Sequence, residues 1–153
     1  DHALFVGEKS QVQGTLRCSC DDKNVYFLVE VLDRSLLRGD YATVYLSPDD
    51  SKSLANGAKR IQVSMDGLKS TETYAGKWNS AEMGVEVKTY VCNDTNEDRI
   101  DNYGYIAEIS IPRSSLTISS GQVLVNFSIT DNKEEEAVSD VSSISRWIPV
   151  AGL

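Results

Sequence analysis

The side chains that most often carry acid–base or nucleophilic chemistry are sparse in this sequence. The only histidine is His2, near the start of the sequence, so no Ser–His or Cys–His pair is expected. Glu30 and Glu108 lie in strand-like runs and could form a carboxylate pair of the type that hydrolyses glycosidic bonds. Nothing in the sequence places that pair in a cleft. We therefore predict a protein that is not an enzyme.

The aromatic residues offer flat apolar surfaces of the kind on which the C–H faces of a sugar stack. Trp78, in the segment Y-A-G-K-W-N, is either such a platform in a loop or a plug at the end of a sandwich. Trp147 alternates with Ser145 in a closing strand and is expected in the core. Tyr41 and Tyr45, two apart on one strand face, form a second aromatic surface or pair with residues of neighbouring strands.

An acidic segment, D-T-N-E-D-R-I-D at residues 94–101, supplies the hard oxygen ligands that Ca²⁺ prefers. Asp94, Asn96 and Asp98 alternate, and Asp101 ends the segment. Arg99 stands at the sixth position, where a calcium loop of the EF-hand type carries Gly. Two readings stay open: a structural calcium site, or a solvated hairpin loop.

The three cysteines, Cys18, Cys20 and Cys92, leave the disulfide state open. Cys18 and Cys20 are two apart in one strand-like run, so their side chains point the same way and are badly placed to bridge each other. Either one bridges to Cys92 and leaves a free thiol, or all three are reduced and act as small apolar residues.

Runs of β-branched and aromatic residues, bounded by Asp, Gly or Pro, recur along the chain and predict strands. About nine strands and no long helix favour an all-β fold, an antiparallel β-sandwich with Greek-key or jelly-roll connections. Residues 25–32 are almost continuously apolar, as in a strand buried on both faces. Residues 75–84 are expected to form a long irregular connection, and residues 92–102 a loop.

Length and charge restrict the partners. The 153 residues suffice for one domain with a substantial core. A net charge of -8 disfavours nucleic acid and anionic membrane surfaces, and no apolar run approaches the roughly 20 residues of a membrane span. Because the sequence begins with Asp1, we expect one module, residues 1–153, excised from a longer multidomain protein.

Four segments, in order along the chain, resemble one known family. They are C-S-C-D-D-K-N-V-Y-F-L-V-E-V-L-D at 18–33, L-R-G-D-Y-A-T-V-Y-L-S at 37–47, G-Y-I-A-E-I-S-I-P at 104–112 and V-L-V-N-F-S-I-T-D at 123–131. The sequence is similar to the family 9 carbohydrate-binding modules and their DOMON-like relatives. The resemblance implies a β-sandwich attached to secreted or cell-surface carbohydrate-active proteins, in which aromatic rings and polar groups hold a sugar. Some relatives carry structural calcium; haem, known in some DOMON-like domains, is not expected here because the lone histidine is terminal.

The resemblance also assigns positions for a sugar-stacking Trp, a carboxylate, an Arg and an amide, which are Leu37, Thr43, Gln62 and Ser128 in this chain. Arg60 replaces Gln62 in that alignment if the register slips. The implied ligand-binding set is a polar track with flanking aromatic and cationic residues: Arg38, Tyr41, Thr43, Gln62, Trp78, Asn126 and Ser128.

Two functions follow from this resemblance. The first is a non-catalytic module that tethers a secreted carbohydrate-active protein to a polysaccharide or host glycan. The second is a sandwich of the same fold that has lost sugar binding and docks neighbouring domains of its own chain. The absence of an aromatic clamp at the family's positions favours the second, and the usual role of the family favours the first.

Overall fold

Alternating strand sequences build most of the described part of the molecule. The computed structural model describes residues 4–7, 12–33, 39–48, 55–96, 99–118, 121–131, 139–141 and 148–151. The strands are β1 (Leu4–Gly7), β2 (Val12–Cys20), β3 (Asn24–Asp33), β4 (Tyr41–Ser47), β5 (Lys59–Ser64), β6 (Gly67–Tyr74), β7 (Trp78–Ser80), β8 (Glu86–Asn96), β9 (Arg99–Pro112), β10 (Gln122–Asp131), β11 (Ser139–Val141) and β12 (Ile148–Ala151). One short 3-10 helix, Arg113–Ser115, follows β9. Over these ranges no helix is long and apolar enough to cross a membrane.

The strands form two antiparallel sheets, which confirms the all-β sandwich. The five-stranded sheet has the order β1-β2-β3-β9-β8, and the seven-stranded sheet has the order β11-β10-β4-β5-β6-β7, with β12 also paired to β10. Strands β4, β5 and β6 follow one another as neighbours, and β10 returns through a long connection to lie beside β4. This is the strand order of a Greek key. The strand count exceeds the predicted nine partly because β7 and β11 have only three residues each.

The core lies between the sheets and is filled by one face of each strand. In β3, the side chains of Val25, Phe27, Val29 and Val31 are buried, whereas Leu32 on the other face is 56% exposed. The prediction that residues 25–32 are buried on both faces is therefore wrong. An antiparallel sheet of a sandwich has one face on the core and one face toward solvent, and here the outer face also carries leucines.

Tyr105 links the two sheets through the core. It lies on β9, is 1% exposed, and its hydroxyl donates a 3.5 Å hydrogen bond to the carbonyl oxygen of Val63 on β5. Burial raises the pKa of the Tyr105 phenol, and the negative charges of Asp40 and Asp33 raise it further. These two buried acids lie on either side of the crossover from β3 to β4, so Tyr105 stays protonated where the chain changes sheets.

One predicted loop is largely strand, and a second contains a short strand. Residues 92–96 and 99–102 belong to the paired strands β8 and β9, with Asp94 opposite Asp101 and Asn96 opposite Arg99, because cross-strand pairing overrides the low strand propensity of Asp and Asn. Within residues 75–84, a tight turn leads into the three-residue strand β7, in which Trp78 pairs with Tyr74, and residues 81–84 are irregular as predicted.

The cysteine positions exclude an intramolecular bridge to Cys92. Cys18 and Cys20 lie on β2, and Cys92 lies on β8 of the same sheet, with β3 and β9 between them. Three strand spacings amount to about 14 Å, whereas the Cα atoms of a disulfide lie within about 7 Å. None of the three cysteines is in a disulfide. Burial raises the pKa of the Cys18 thiol to about 12, so Cys18 behaves as an apolar residue packed against the core.

Candidate functional site

A row of short polar side chains crosses the outer face of the seven-stranded sheet. Pairing of β10, β4, β5 and β6 places Ser128 opposite Thr43, Thr43 opposite Gln62, and Gln62 opposite Ser70. The Ser70 hydroxyl donates to Oε1 of Gln62 at 3.1 Å, and Nε2 of Gln62 donates to the Thr43 hydroxyl at 3.4 Å. We call these four residues the polar row. The hydrogen bonds fix the orientation of the Gln62 amide.

Burial differs sharply along the polar row. Thr43 is 1% and Ser128 2% exposed although both lie on the outer face of the sheet, while Gln62 is half-buried. Within the described ranges, the buried Ser128 hydroxyl has no hydrogen-bond partner, an arrangement that costs free energy in a folded protein. Of these three residues, Gln62 is therefore the most accessible to solvent.

Asn126 continues the polar surface on β10. It lies two residues before Ser128, on the same face, and directly opposite Tyr45 of β4. The Asn126 side-chain oxygen accepts a 2.8 Å hydrogen bond from the backbone N–H of Phe127. This bond orients the half-buried amide.

The two residues proposed for the family's arginine position lie on the same face of β5. Gln62 lies opposite Thr43, and Arg60 lies opposite Tyr45. Arg60 occupies the next outward position of β5.

Arg60 is the centre of a second group on the same face. Its Nε and Nη2 atoms each donate a 2.9 Å hydrogen bond to the carboxylate of Glu72 on β6, and its guanidinium lies 4.5 Å from the ring centroid of Trp78. Trp78 also meets Tyr74 edge-on, with 5.3 Å between centroids, and Tyr45 at 6.4 Å. We call Tyr45, Arg60, Glu72, Tyr74 and Trp78 the Arg60–Trp78 group.

The predicted aromatic residues therefore have cross-strand partners. Trp78 lies on a short strand and packs on the outer face, in neither of the two positions predicted from the sequence. Tyr45 joins Trp78, whereas Tyr41 lies under the ammonium of Lys69, 3.5 Å from its ring centroid. Tyr41 and Tyr45 are thus engaged in different contacts on the two sides of the polar row.

Sequence reasoning missed Glu72, and treated Arg60 only as a substitute for Gln62. The alternation of K-R-I-Q-V in β5 places Arg60 and Gln62 on one face, and that signal was available. The partnership with Glu72 and Trp78 depends on the β5–β6 register and on the turn before β7. The sequence contains no comparable signal for these two features.

The remaining predicted site residues lie elsewhere. Arg38, Asp98 and Trp147 fall outside the described residues. Asp94 and Asn96 lie near the end of β8, and Asp101 lies opposite Asp94 in β9. The calcium site accordingly stays a prediction.

The outer face of the five-stranded sheet carries a shallow groove of about 530 Å³. Arg17, Leu28, Glu108 and Lys88 form one cross-strand row in it. Glu30 is opposite Ile106 and Glu108 is opposite Leu28, so the two glutamates are diagonal neighbours on a broad surface. This arrangement gives no support to a catalytic carboxylate pair.

Two packed antiparallel sheets, one with an outer face of ordered polar groups and aromatic rings, define a β-sandwich. The sequence matches the family described as "Carbohydrate family 9 binding domain-like" over residues 3–150. The chain belongs to this family, and the resemblance seen in the four segments is confirmed.

Individual relatives agree with this assignment. Endo-1,4-beta-xylanase C of Paenibacillus barcinonensis is 28% identical over 121 residues, which cover 78% of this chain and 10% of the xylanase. The chain thus spans about a tenth of that relative. A family 9 carbohydrate-binding module from Caldicellulosiruptor kristjanssonii in complex with glucose has a TM-score of 0.58 and 16% identity over 96% of this chain and 72% of its own. The complex with cellotriose gives 0.56 and 15%, over 97% and 70%. These structures share the fold.

Proposed function

We propose that this chain is a non-catalytic glycan-binding module of a secreted, multidomain carbohydrate-active protein, and that it tethers that protein to a polysaccharide or host glycan. The observation that carries the proposal is the polar row, whose central amide is oriented by hydrogen bonds from both sides. Sugar hydroxyls need paired donors and acceptors in fixed positions, and a pre-oriented Gln62 supplies both. Family membership supports the same function.

Within this proposal, the residues have different roles. Gln62 and Asn126 are half-buried and contact the glycan. Buried Thr43 holds the Gln62 amide, and the hydroxyl of Ser128, which has no partner among the described residues, is left for the ligand. Tyr41, at the start of β4, and Arg38, which lies outside the described residues, complete the predicted set. Trp78 contributes to the proposed glycan site as a member of the Arg60–Trp78 group, in which its ring lies beside the Arg60 guanidinium.

Structural calcium at Asp94, Asn96, Asp98 and Asp101 is the second part of the proposal. The register supports it because the backbone of Asp94 pairs with that of Asp101 in the β8–β9 hairpin, and Asp is a residue type that supplies hard oxygen ligands. Binding experiments are therefore run both with Ca²⁺ and with a chelator.

The test is a glycan array followed by calorimetric titration of the sugar bound most tightly. The Gln62→Leu variant is expected to lose affinity at least about tenfold, as when a hydrogen-bonding amide is removed from a binding site. The matched control is Gln13→Leu on the outer face of the five-stranded sheet, which is expected to bind like the unmodified protein. Absence of binding to any glycan, with and without Ca²⁺, contradicts the proposal.

The second candidate function is a structural or interaction sandwich that has lost sugar binding. The observation in its favour is that both ends of the Gln62 amide are already used, by Ser70 and Thr43, and that Thr43 is 1% exposed. Under this reading the polar row only holds the sheet together, so Gln62→Leu lowers stability and no glycan binds.

A further inference from the structure

The strands at the ends of the two sheets differ greatly in length. β1 and β12 have four residues each and β7 and β11 have three, whereas β8 has eleven. Among the described strands, only β9 pairs with β8, so within these ranges the other side of β8 carries a row of unpaired backbone N–H and C=O groups. A short edge strand limits pairing with another chain, and a long one is a template for it.

The middle of β8 exposes apolar side chains on both of its faces. Tyr90 is 53% and Val91 41% exposed, and successive strand residues point to opposite faces. Val87 lies on the same face as Val91 and packs against the core. The strand contains no Pro, which would block pairing at the edge. A further strand beside β8 would cover Tyr90 on one face and Val91 on the other.

The regular part of β8 is symmetric about Thr89. β8 begins at Glu86, and its register with β9 shifts between Cys92 and Asn93, so the undistorted edge consists of residues 86–92. Thr89 is the central residue of this segment. Two copies of one strand can pair antiparallel about a two-fold axis, with the same surface used on both copies. An axis at Thr89 therefore pairs the whole of the regular segment with itself.

An axis at Thr89 also matches the side chains of the two copies. Val87 then lies opposite Val91 of the second copy, which extends the apolar core across the join. Lys88 lies opposite Tyr90 of the second copy, so that an ammonium is placed beside an aromatic ring. Each of these pairs occurs twice because the arrangement is symmetric.

Neighbouring registers are less favourable because they oppose like charges. Moving the axis by one residue to Lys88 places the two Lys88 residues directly opposite each other. Moving it to Tyr90 places Glu86 at the position opposite Asp94. Like charges directly opposite each other destabilise an antiparallel pair. The charges of β8 thus favour the same register as the length of its regular segment.

We propose that two copies of this chain pair through β8, antiparallel about an axis at Thr89, so that their five-stranded sheets join into one continuous sheet. Seven paired residues from each copy form a small interface, and small interfaces give weak association that depends on concentration. The proposal is independent of the glycan-binding function, because the polar row lies on the other sheet and contributes no residue to this pairing.

Sedimentation equilibrium of the unmodified protein tests the association. The weight-average mass is expected to be near the 16.8 kDa of one chain at about 10 µM and to approach twice that value at about 1 mM, as for a weak interface. Raising the NaCl concentration from about 0.05 M to about 0.5 M is expected to strengthen association, because salt screens the repulsion between two copies of net charge -8. A mass of one chain under all these conditions overturns the proposal.

The Val91→Lys variant tests whether β8 is the surface that associates. A lysine at this position faces the apolar Val87 of the second copy, so the variant is expected to keep the mass of one chain at every concentration. Leu32→Lys is the matched control, because Leu32 is 56% exposed, lies on β3 with β9 between it and β8, and the substitution changes the net charge equally. It is expected to associate like the unmodified protein. Association that Val91→Lys leaves intact contradicts the proposal.

Cross-linking tests the register and does not depend on the folding of Val91→Lys. In a Cys92→Ser background, Thr89→Cys is expected to form a reducible dimer on mild oxidation, because residue 89 lies opposite itself and opposed Cα atoms of an antiparallel pair are within the range of a disulfide. Val87→Cys is the control and is expected to form none, since the two copies of residue 87 are four strand residues, about 13 Å, apart. Equal cross-linking of the two variants overturns the register.

Discussion

The two sheets alternate their side chains in the same way but present very different outer faces. On the seven-stranded sheet, hydrogen bonds run from strand to strand: Ser70 to Gln62, Gln62 to Thr43, and Arg60 to Glu72. On the five-stranded sheet, the row of Arg17, Leu28, Glu108 and Lys88 has three charged residues and one apolar residue along a shallow groove. One face is organised before any ligand arrives, and the other is a solvated surface.

This difference changes the conformational entropy that side chains would lose when a ligand binds. Fixing a long polar side chain when a ligand binds costs roughly 0.5–1.5 kcal/mol per side chain. On the seven-stranded face that cost has already been met during folding for Gln62 and Arg60, because neighbouring strands hold them. Glu108 and Lys88 are exposed on the five-stranded face and would have to be ordered by the ligand. The comparison supports the proposal that the glycan binds on the seven-stranded face.

The largest effect is expected from a substitution within the five-stranded sheet. A Cβ atom added at Gly104 would lie 1.8 Å from the carbonyl oxygen of Val31 on the neighbouring strand, and the residue has φ +138°. Gly104→Ala therefore forces β9 away from β3. We expect a loss of more than about 4 kcal/mol in the free energy of unfolding, or no folded protein, as measured by urea denaturation.

Gly67→Ala in the seven-stranded sheet is the matched control. Gly67 has φ +115°, but an added Cβ meets nothing within 4 Å, so only backbone strain of about 1–3 kcal/mol is expected. Equal stabilities of the two variants would show that the β3–β9 pairing does not have the structural role assigned to it.

A smaller effect, opposite in sign, tests the buried hydroxyl of the polar row. Ser128→Ala removes a hydroxyl that is buried without a partner among the described residues, so the free energy of unfolding is expected to rise by about 1 kcal/mol. Ser70→Ala removes the donor to Gln62 and is expected to lower it by about 1 kcal/mol. Both values come from urea denaturation at neutral pH.

Ser110→Ala extends that comparison to the other face. Ser110 lines the groove of the five-stranded sheet and is half-buried, and the substitution is expected to change stability by less than about 0.5 kcal/mol. If Ser128→Ala also weakens glycan binding, the hydroxyl is kept for the ligand at a cost in stability. A marked loss of stability in Ser128→Ala contradicts this reading.

Much of the fold could be predicted from the sequence because alternation and turn residues are local signals. The strand at residues 25–32 lies within β3, and the resembling segments 104–112 and 123–131 lie within β9 and β10. The errors came from side chains whose type does not indicate whether they are buried or paired. Because of Leu28 and Leu32, β3 was predicted to be buried on both faces. Because residues 93–96 and 99–102 are mostly polar, their pairing in the β8–β9 hairpin was not predicted.

The site was predictable only where it follows from strand register. Thr43, Gln62 and Ser128 were expected to form a track, and the pairing places them in one row. The contact of Arg60 with Trp78 depends on the turn before β7, and its pairing with Glu72 depends on the bulge that shifts the β5–β6 register between Gln62 and Val63. Composition and spacing do not encode such contacts between strands.

The smallest expected effect concerns the hairpin turn between β2 and β3 in the five-stranded sheet. The Asp21 carboxylate accepts hydrogen bonds from the Tyr26 hydroxyl and from the backbone N–H groups of Asn24 and Lys23, which lower its pKa. The same carboxylate raises the pKa of the Tyr26 phenol. Both groups are exposed to solvent, so the contribution to stability is small.

The signs of the two shifts predict a plateau for this contribution. Because the Asp21 pKa is depressed by folding, its stabilisation is present above the unfolded value of about 3.9 and is lost as the pH falls through the folded value. Because the Tyr26 pKa is raised, its share is present below about 10 and is lost as the pH rises. The difference in unfolding free energy between the unmodified protein and Asp21→Asn, measured in urea from pH 2 to 11, should therefore be flat between about 5 and 9 and decrease on both sides. Tyr26→Phe should remove the alkaline decrease and shrink the acid one; a difference that does not change with pH would mean that the turn is held by its backbone hydrogen bonds alone.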